Sequence, residues 1–358
     1  MLAAEVIPSE LGVSSMRVNM GNIENKGIEL TINATPVQLR DFSWQTTLTY
    51  TKNKNKVLKL SEGKSFVEDG KYLIEEGSPL GQWFGQKALG IYATDEANAY
   101  IKNSDGSFGD RLIPVYQRDP NNYNNYISSS NGTPIFSHYE TKGGQKYAGD
   151  VGQMTTAGSV SKGGDIIWDD LDHDGVIGDS DRRILGNGMP TWYMGWTNYL
   201  NYKNFSLSFS FYGSFGNKIY NKQRRDLLQN SSSNMTPLAR DCYRLWKYQG
   251  QITEVYSSAK ATTGVNNARE LSSFFLEDGD YIRLTNTRLA YRVDRNLIKR
   301  FHISDLQLYV YGNNLLTWTK YKGFDPSSIS NSNVLRPGID NGRYPTAREI
   351  GFGLNVNF

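Results

Sequence analysis

Glu349-Ile-Gly-Phe-Gly-Leu-Asn-Val-Asn-Phe358 puts Ile350, Phe352, Leu354, Val356 and Phe358 on one side of an extended chain and Gly351, Gly353, Asn355 and Asn357 on the other. Strand side chains alternate faces with period two, so this segment has one fully apolar face and one small, polar face. A tilted strand needs about 9–11 residues to cross the hydrocarbon layer of a membrane. The stretch has ten and ends on an aromatic residue, as expected of a membrane-spanning β-strand.

Working outward, Lys26–Ala34 alternates Ile28, Leu30 and Ile32 against Glu29, Thr31 and Asn33, and a turn at Pro36–Asp41 leads to Phe42–Thr51. Met194–Lys203 and Phe205–Gly213 form a second hairpin through Tyr202-Lys-Asn204, with Phe205, Leu207, Phe209 and Phe211 opposed to Ser206, Ser208 and Ser210. Tyr281–Arg292 and Asp305–Leu315 make a third, where Leu306, Leu308 and Val310 alternate with Gln307, Tyr309 and Tyr311. The connections 35–41, 202–204 and 293–304 are short, whereas 52–193, 214–280 and 316–348 are long and rich in Gly, Ser, Asn and Asp. Short turns on one side and long loops on the other match an outer-membrane barrel, with the short side periplasmic. The fold expected is all-β, an antiparallel transmembrane β-barrel segment with long extracellular loops.

Seven spanning strands result, and further ones within 52–193, for instance around Gln82–Tyr92, must come in pairs. An odd count whose first strand runs inward does not close an even-stranded barrel. Residues 1–358 are therefore expected to be the carboxyl-terminal part of a larger barrel, with no plug domain.

Composition agrees with this and excludes other classes. No apolar run approaches the roughly 18 residues of a transmembrane helix, and the mean hydropathy is −0.55, which suits barrel strands that show only half their residues to lipid. Lys and Arg (39) nearly balance Asp and Glu (36) without a basic stripe, so no nucleic-acid partner is expected. The lone Cys242 cannot form an internal disulfide. The start, Met1-Leu-Ala-Ala-Glu-Val-Ile-Pro8, lacks the features of a secretory signal.

Several stretches together resemble the SusC/RagA family of TonB-linked outer-membrane transporters of Bacteroidetes: Gly21-Asn-Ile-Glu-Asn-Lys-Gly-Ile-Glu-Leu30, Gly164-Asp-Ile-Ile-Trp-Asp-Asp-Leu-Asp-His-Asp-Gly-Val-Ile177, Asp181-Arg182 and Gly186-Asn187. Gly213-Ser-Phe-Gly-Asn-Lys-Ile-Tyr220, Asp280-Tyr-Ile-Arg-Leu284, Gly312-Asn-Asn-Leu-Leu316, Tyr321-Lys-Gly-Phe-Asp-Pro326 and Tyr344-Pro-Thr-Ala-Arg348 continue the resemblance in family order. It implies a barrel of roughly 22 strands around a plug. It also implies outer-membrane import of oligosaccharides or peptides, a SusD-like lipoprotein partner and TonB as energy source. The plug, TonB-contacting segment and upstream strands that it implies are not in this sequence.

Asp170-Leu-Asp-His-Asp-Gly-Val-Ile-Gly-Asp-Ser-Asp181 resembles a twelve-residue calcium loop, with side-chain ligands at Asp170, Asp172 and Asp174, a turn at Gly175, the Val176 carbonyl and a final Asp181. Asp181 replaces the usual Glu and no helix pair flanks the loop, so it is no EF-hand. The same text also reads as a bare Asp-rich turn held by its own hydrogen bonds and by Arg182 or Arg183.

Aromatic residues crowd the long loops: Trp83, Phe84, Tyr92, Tyr100, Tyr116, Tyr123, Tyr126, Tyr139, Tyr147, Trp168, Trp192 and Tyr193. Exposed Tyr and Trp suit stacking on sugars or gripping a peptide backbone; Trp192, Tyr193 and Trp196, where a strand enters the membrane, read instead as an interfacial girdle. Thr236–Tyr248 reads as a short helix capped by Thr236, with Pro237 in its first turn and Leu238, Cys242, Leu245 and Trp246 on one face. His138, His173 and His302 lie far apart and Cys242 is beside none of them, so no nucleophile, base and orienter can be assembled and no enzyme is expected. Gly213–Gly216 and Gly351–Gly353 lack phosphate-loop spacing and read as barrel corners and lumen-facing gaps. The rival from another class is a secreted β-rich adhesin or glycan-binding protein, in which Phe205, Leu207, Phe209 and Phe211 would be buried against a second sheet.

Overall fold

The computed structural model describes residues 2–6, 15–19, 21–61, 63–229, 239–257, 267–269, 271–327 and 334–358. These divide into two compact units, one of Met1–Trp83, Gly186–Tyr220 and Glu277–Phe358, the other of Phe84–Leu185 and Asn221–Leu276.

The first unit is built on one antiparallel sheet of seven strands. In chain order these are β1 (Gly21–Gln38), β2 (Phe42–Leu60), β3 (Trp192–Tyr202), β4 (Phe205–Phe215), β5 (Tyr281–Arg292), β6 (Asp305–Thr319) and β7 (Glu349–Asn357). Each lies beside its sequence neighbour, so the sheet is an uninterrupted meander. All seven expected strands are present, and the long connection 52–193 adds none to this sheet: Gln82–Gln86 and Ala88–Ile91 are short strands of two other sheets.

Cross-strand register shows why these segments become barrel wall. One row runs Val37, Trp44, Leu200, Leu207, Leu289, Val310 and Phe352 across all seven strands, and every member is apolar. Residues directly opposite share a face. A row of the other face runs Asn33, Thr47, Thr197, Ser210, Asn286, Asn313 and Glu349, every member polar. Hydrogen bonds link this polar row sideways: Thr47 to Asn33 (2.8 Å), Thr197 with Ser210 (3.0 Å), Asn286 to Asn313 (2.9 Å) and Asn313 to Glu349 (2.9 Å). Some polar residues also fall on the apolar face, among them Lys52 opposite Ile28 and Trp192, Thr287 opposite Phe209, and Thr46 and Asn198, the last two accepting the indole N–H groups of Trp196 (2.9 Å) and Trp44 (3.0 Å). An indole N–H facing lipid without a partner would be costly, which gives Thr46 and Asn198 a purpose there.

The apolar face is uncovered. Ile28, Ile350 and Phe352 are 68%, 80% and 89% exposed, Phe205 is exposed and Leu207, Phe209 and Phe211 are half-buried, so among the described residues no second sheet buries this face as an adhesin sandwich would require. On the polar face Tyr309 and Tyr311 lie opposite Gly353 and Gly351, and a Cβ at either glycine would collide with the facing ring. The glycines of β7 are thus gaps into which tyrosine rings fold.

The expected boundaries need correction at one end. β1 and β2 run past Lys26 and Thr51, pairing from Gly21 opposite Leu60 downward. The added rungs include Asn22 with Lys59 and Glu24 with Lys56. Polar residues satisfy a ladder in water as well as apolar ones do in lipid, so the apolar alternation ends before the strand does. Pro36, expected in the turn, sits at a register shift between Ala34 and Val37, where its missing N–H costs no ladder bond. The extended ends carry a small core of Val57, Leu60, Ile74, Leu80 and Leu335.

One buried ion pair ties the connection 320–348 to the sheet. Arg283 of β5 donates to Thr317 (2.9 Å), Ser327 (2.9 Å), Thr346 (3.2 Å) and Asp325 (2.5 Å). Asp325 also accepts from the Ser327 and Thr346 backbone N–H groups, at 2.9 and 2.8 Å. Burial favours the neutral acid, but these donors outweigh it and hold the Asp325 carboxyl well below the usual range.

Candidate functional site

The second unit is where the chemistry of the loops is gathered. Its core includes buried polar side chains, among them Asn98, Asp165 and Asn267. Asn98, fully buried, donates to the carbonyls of Met154 (3.0 Å) and Ser161 (2.7 Å) and accepts from Met154 N–H (2.9 Å), pinning two loops. Around it pack Tyr92, Tyr100, Met154 and Ile167, the two phenols hydrogen-bonded at 2.9 Å and both raised by burial above the ordinary tyrosine range. Asp165 accepts from Lys162 N–H (2.7 Å) and from Asn267 (2.8 Å), so the strand that follows, Ile166–Trp168, enters the core beside Ala88–Ile91.

Beside this core lies a cavity of about 820 Å³, whose chemistry comes from Tyr116, Tyr126, Arg111, Asp119, Asn125 and Gln249. Tyr116 stands edge-on to Tyr126 (5.9 Å between centroids), and the Arg118 guanidinium stacks 4.1 Å from the Tyr126 ring. The Tyr116 hydroxyl bonds Thr94, and burial, partly offset by that bond, pushes its phenol up to about 12, so it remains neutral at physiological pH. Gln249 is fixed by accepting from Asp95 N–H and donating to the Asp95 carboxylate, each at 2.9 Å. Flat apolar rings among immobilised donors and acceptors can stack on a sugar or clasp a peptide backbone.

The structure sorts the loop aromatics. Trp83, Tyr92, Tyr100 and Trp168 are buried packing residues, whereas Tyr123 and Tyr126 are exposed. Trp192 and Trp196 lie on the apolar face, Trp192 stacking on Phe215 at 3.9 Å. Tyr193 points the other way: its position alternates with theirs, and it stacks with Tyr212. It therefore does not belong to a lipid-facing girdle. The expected helix also differs. Thr236, Pro237 and Leu238 lie outside the described residues; among the described ones helix covers Ala239–Cys242 and ends there, and Leu245 is already bridged to Val255. Trp246 donates to the Ala93 carbonyl (3.0 Å), and its ring covers Gly163 and Gly164, so it seals the core instead of lying on a helix face.

The Asp-rich loop is folded tightly. Gly175 N–H donates to Asp170 (2.9 Å) and Val176 N–H to Asp174 (2.7 Å), while Asp181, fully buried, accepts from Leu171 N–H and Gly178 N–H at 2.7 Å each. Carboxylate oxygens of Asp170, Asp172 and Asp174 come within 4.8 Å of one another. Asp181, expected as the last ligand, is outside that group and braces the two ends of the loop. Val176 enters a parallel bridge with Thr155. Arg183 pairs with Asp169 (2.8 Å) and Arg182 approaches Asp179 (3.9 Å).

No family model matches the chain. Over 356 residues, 98% of its length, it is 35% identical to TonB-dependent receptor P39 of Formosa agariphila, and over 348 residues it is 25% identical to TonB-dependent receptor SusC of Bacteroides thetaiotaomicron. This is a SusC/RagA-like sequence. Its whole length also superposes on the RagAB peptide transporter structure with a TM-score of 0.65 at 18% identity, covering 32% of that chain, a likeness of fold. The chain spans about a third of the curated relatives' length, 32% of P39 and 27% of SusC. Receptors and transporters are what it resembles, and no enzyme is among these relatives.

Seen on this SusC/RagA-like barrel segment, the stretches that carried the resemblance have definite duties. Asp280–Leu284, Tyr321–Pro326 and Tyr344–Arg348 converge on the Arg283–Asp325 pair. Gly164–Trp168 supplies the clamp and buried strand of the second unit. None of these residues needs a ligand to explain it.

Proposed function

We propose that the chain is the carboxyl-terminal section of an outer-membrane, TonB-dependent importer of oligosaccharides or peptides. Its sheet would form part of the barrel wall, its polar face would line the lumen, and its second unit would belong to the extracellular side. The observation that carries this reading is the register of the sheet, an apolar row and a polar row each crossing seven strands without exception. An apolar row left exposed on one side and a polar row on the other is the pattern a wall between lipid and water calls for. In this reading a plug and further strands complete the barrel, TonB supplies energy through that missing part, and a SusD-like surface lipoprotein delivers substrate. The Tyr116 and Tyr126 cavity is then a candidate contact for substrate.

The test is uptake by cells carrying the gene that contains this sequence. Labelled oligosaccharide and labelled peptide libraries are offered separately, with TonB intact or deleted. Accumulation of one library that disappears without TonB supports the proposal and chooses the substrate class. Full-length protein that fractionates as soluble, with uptake unchanged by deleting its gene, contradicts it. Tyr116→Ala in that protein is expected to reduce uptake several-fold while leaving its outer-membrane yield intact.

A further inference from the structure

The Asp170–Asp181 loop holds acidic groups that its own hydrogen bonds do not answer. Asp181 has both oxygens matched to backbone donors, and the exposed Asp172 and Asp174 each accept one N–H. Asp170 is different. It is only 7% exposed, one oxygen accepts from Gly175, and no hydrogen-bond donor reaches its buried Oδ1. A buried carboxylate oxygen without a donor is costly in a folded protein unless a cation answers it. Two further carboxylates converge beside it, with oxygens within 4.8 Å. Oxygens bound to one calcium ion at about 2.3–2.6 Å cannot lie more than roughly 5 Å apart, so the three carboxylates already satisfy the spacing.

We propose that the loop binds a calcium ion through Asp170, Asp172 and Asp174, with carbonyl and water oxygens completing the shell. Calcium is favoured over magnesium because three carboxylates from five consecutive residues form an irregular, crowded set. Magnesium demands near-ideal octahedral geometry and keeps most of its water. The ion would also set the shape of the neighbouring strands. His173 carbonyl accepts from Phe108 N–H (2.8 Å) and Gly175 carbonyl from Thr155 N–H (2.9 Å), so both are anchored on the bound loop. Phe108–Arg111 ends at Arg111, a cavity residue. The proposal stands on the loop alone and does not depend on the import reading.

The experiment is a calcium titration by calorimetry on the purified full-length protein carrying this sequence, repeated with terbium luminescence sensitised by Trp168. The expected result is a saturable site with Kd of about 10⁻⁴–10⁻³ M, as in extracellular calcium modules. Asp172→Asn/Asp174→Asn should lose that site, Asp172→Asn alone should weaken it at least about tenfold by removing one charged ligand, and Asp179→Asn should leave it unchanged. The substituted side chains are exposed, and unaltered heat-modifiable migration would show that the variants fold. Chelation of the unsubstituted protein should also speed tryptic cleavage after Arg182 or Arg183. No saturable site, a site retained in the double variant, or equal affinity for magnesium would each overturn the proposal.

Discussion

Arg283→Met is expected to destabilise the protein by about 3–5 kcal/mol, the cost of removing one partner from a buried ion pair and leaving the other charge uncompensated. Arg283 and Asp325 have side chains only 8% and 4% exposed. Four hydrogen bonds from one guanidinium collect Thr317 of β6 and Ser327, Thr346 and Asp325, so the loss also frees the connection 320–348 from β5. Urea unfolding of the refolded full-length protein in lipid vesicles measures the effect. Arg283→Met/Asp325→Asn should cost less than the sum of its single changes, because no charge is then stranded. A loss below about 1 kcal/mol for Arg283→Met would place the pair among exposed ion pairs. The pH dependence has a definite sign. The folded Asp325 pKa is depressed, so its contribution is present above the unfolded carboxyl pKa and is lost as pH falls through the lower folded value. In Asp325→Asn that acid-side loss should be reduced.

Val310→Arg is expected to cost about 2–4 kcal/mol, the penalty for a cation facing lipid near the bilayer midplane. Val310 is half exposed, lies opposite Leu289 and Phe352, and sits near the middle of the rows shared with the short strand β7. Ser206→Lys, on the opposite face beside Asn201 and Ala290, is the matched control and should change stability by less than about 1 kcal/mol, as expected for a lumen position. In detergent-free buffer the apolar face would instead be a cause of aggregation, and arginine there would improve solubility. The sign of the Val310→Arg effect thus separates a lipid-facing wall from a water-exposed sheet.

The seven strands were legible because period-two alternation is local and because lipid on one side and water on the other keep it strict. Tyr281–Arg292 was read to the residue. β1 and β2 were cut short because the alternation that marks lipid contact stops where the strands continue into water at Lys54, Lys56 and Lys59. Tyr193 was placed with Trp192 by proximity in sequence, although neighbouring strand residues must face opposite ways. The Arg283 network was not legible, since its partners are spread from Thr317 to Thr346 and only the fold brings them together. The cavity was half legible: Tyr116 and Tyr126 stood out as aromatic, but Gln249 comes from a distant segment whose path a helical reading obscured. For the Asp-rich loop, spacing grouped Asp170, Asp172 and Asp174, whose carboxylate oxygens the fold brings within 4.8 Å of one another. It could not show that Asp181 spends both oxygens on the backbone.

The most direct test of the account is a cysteine scan along Ile350–Asn357 in the full-length protein, with Cys242 replaced by serine, labelled in intact outer membranes by a charged, membrane-impermeant maleimide. With Gly351 and Gly353 left unchanged, since a Cβ there would meet the Tyr311 and Tyr309 rings, the expected result is that positions 355 and 357 react from the aqueous lumen and positions 350, 352, 354 and 356 react only after detergent. Uniform labelling of all six positions without detergent would show that the apolar face meets water, and would contradict the assignment of this sheet as membrane wall.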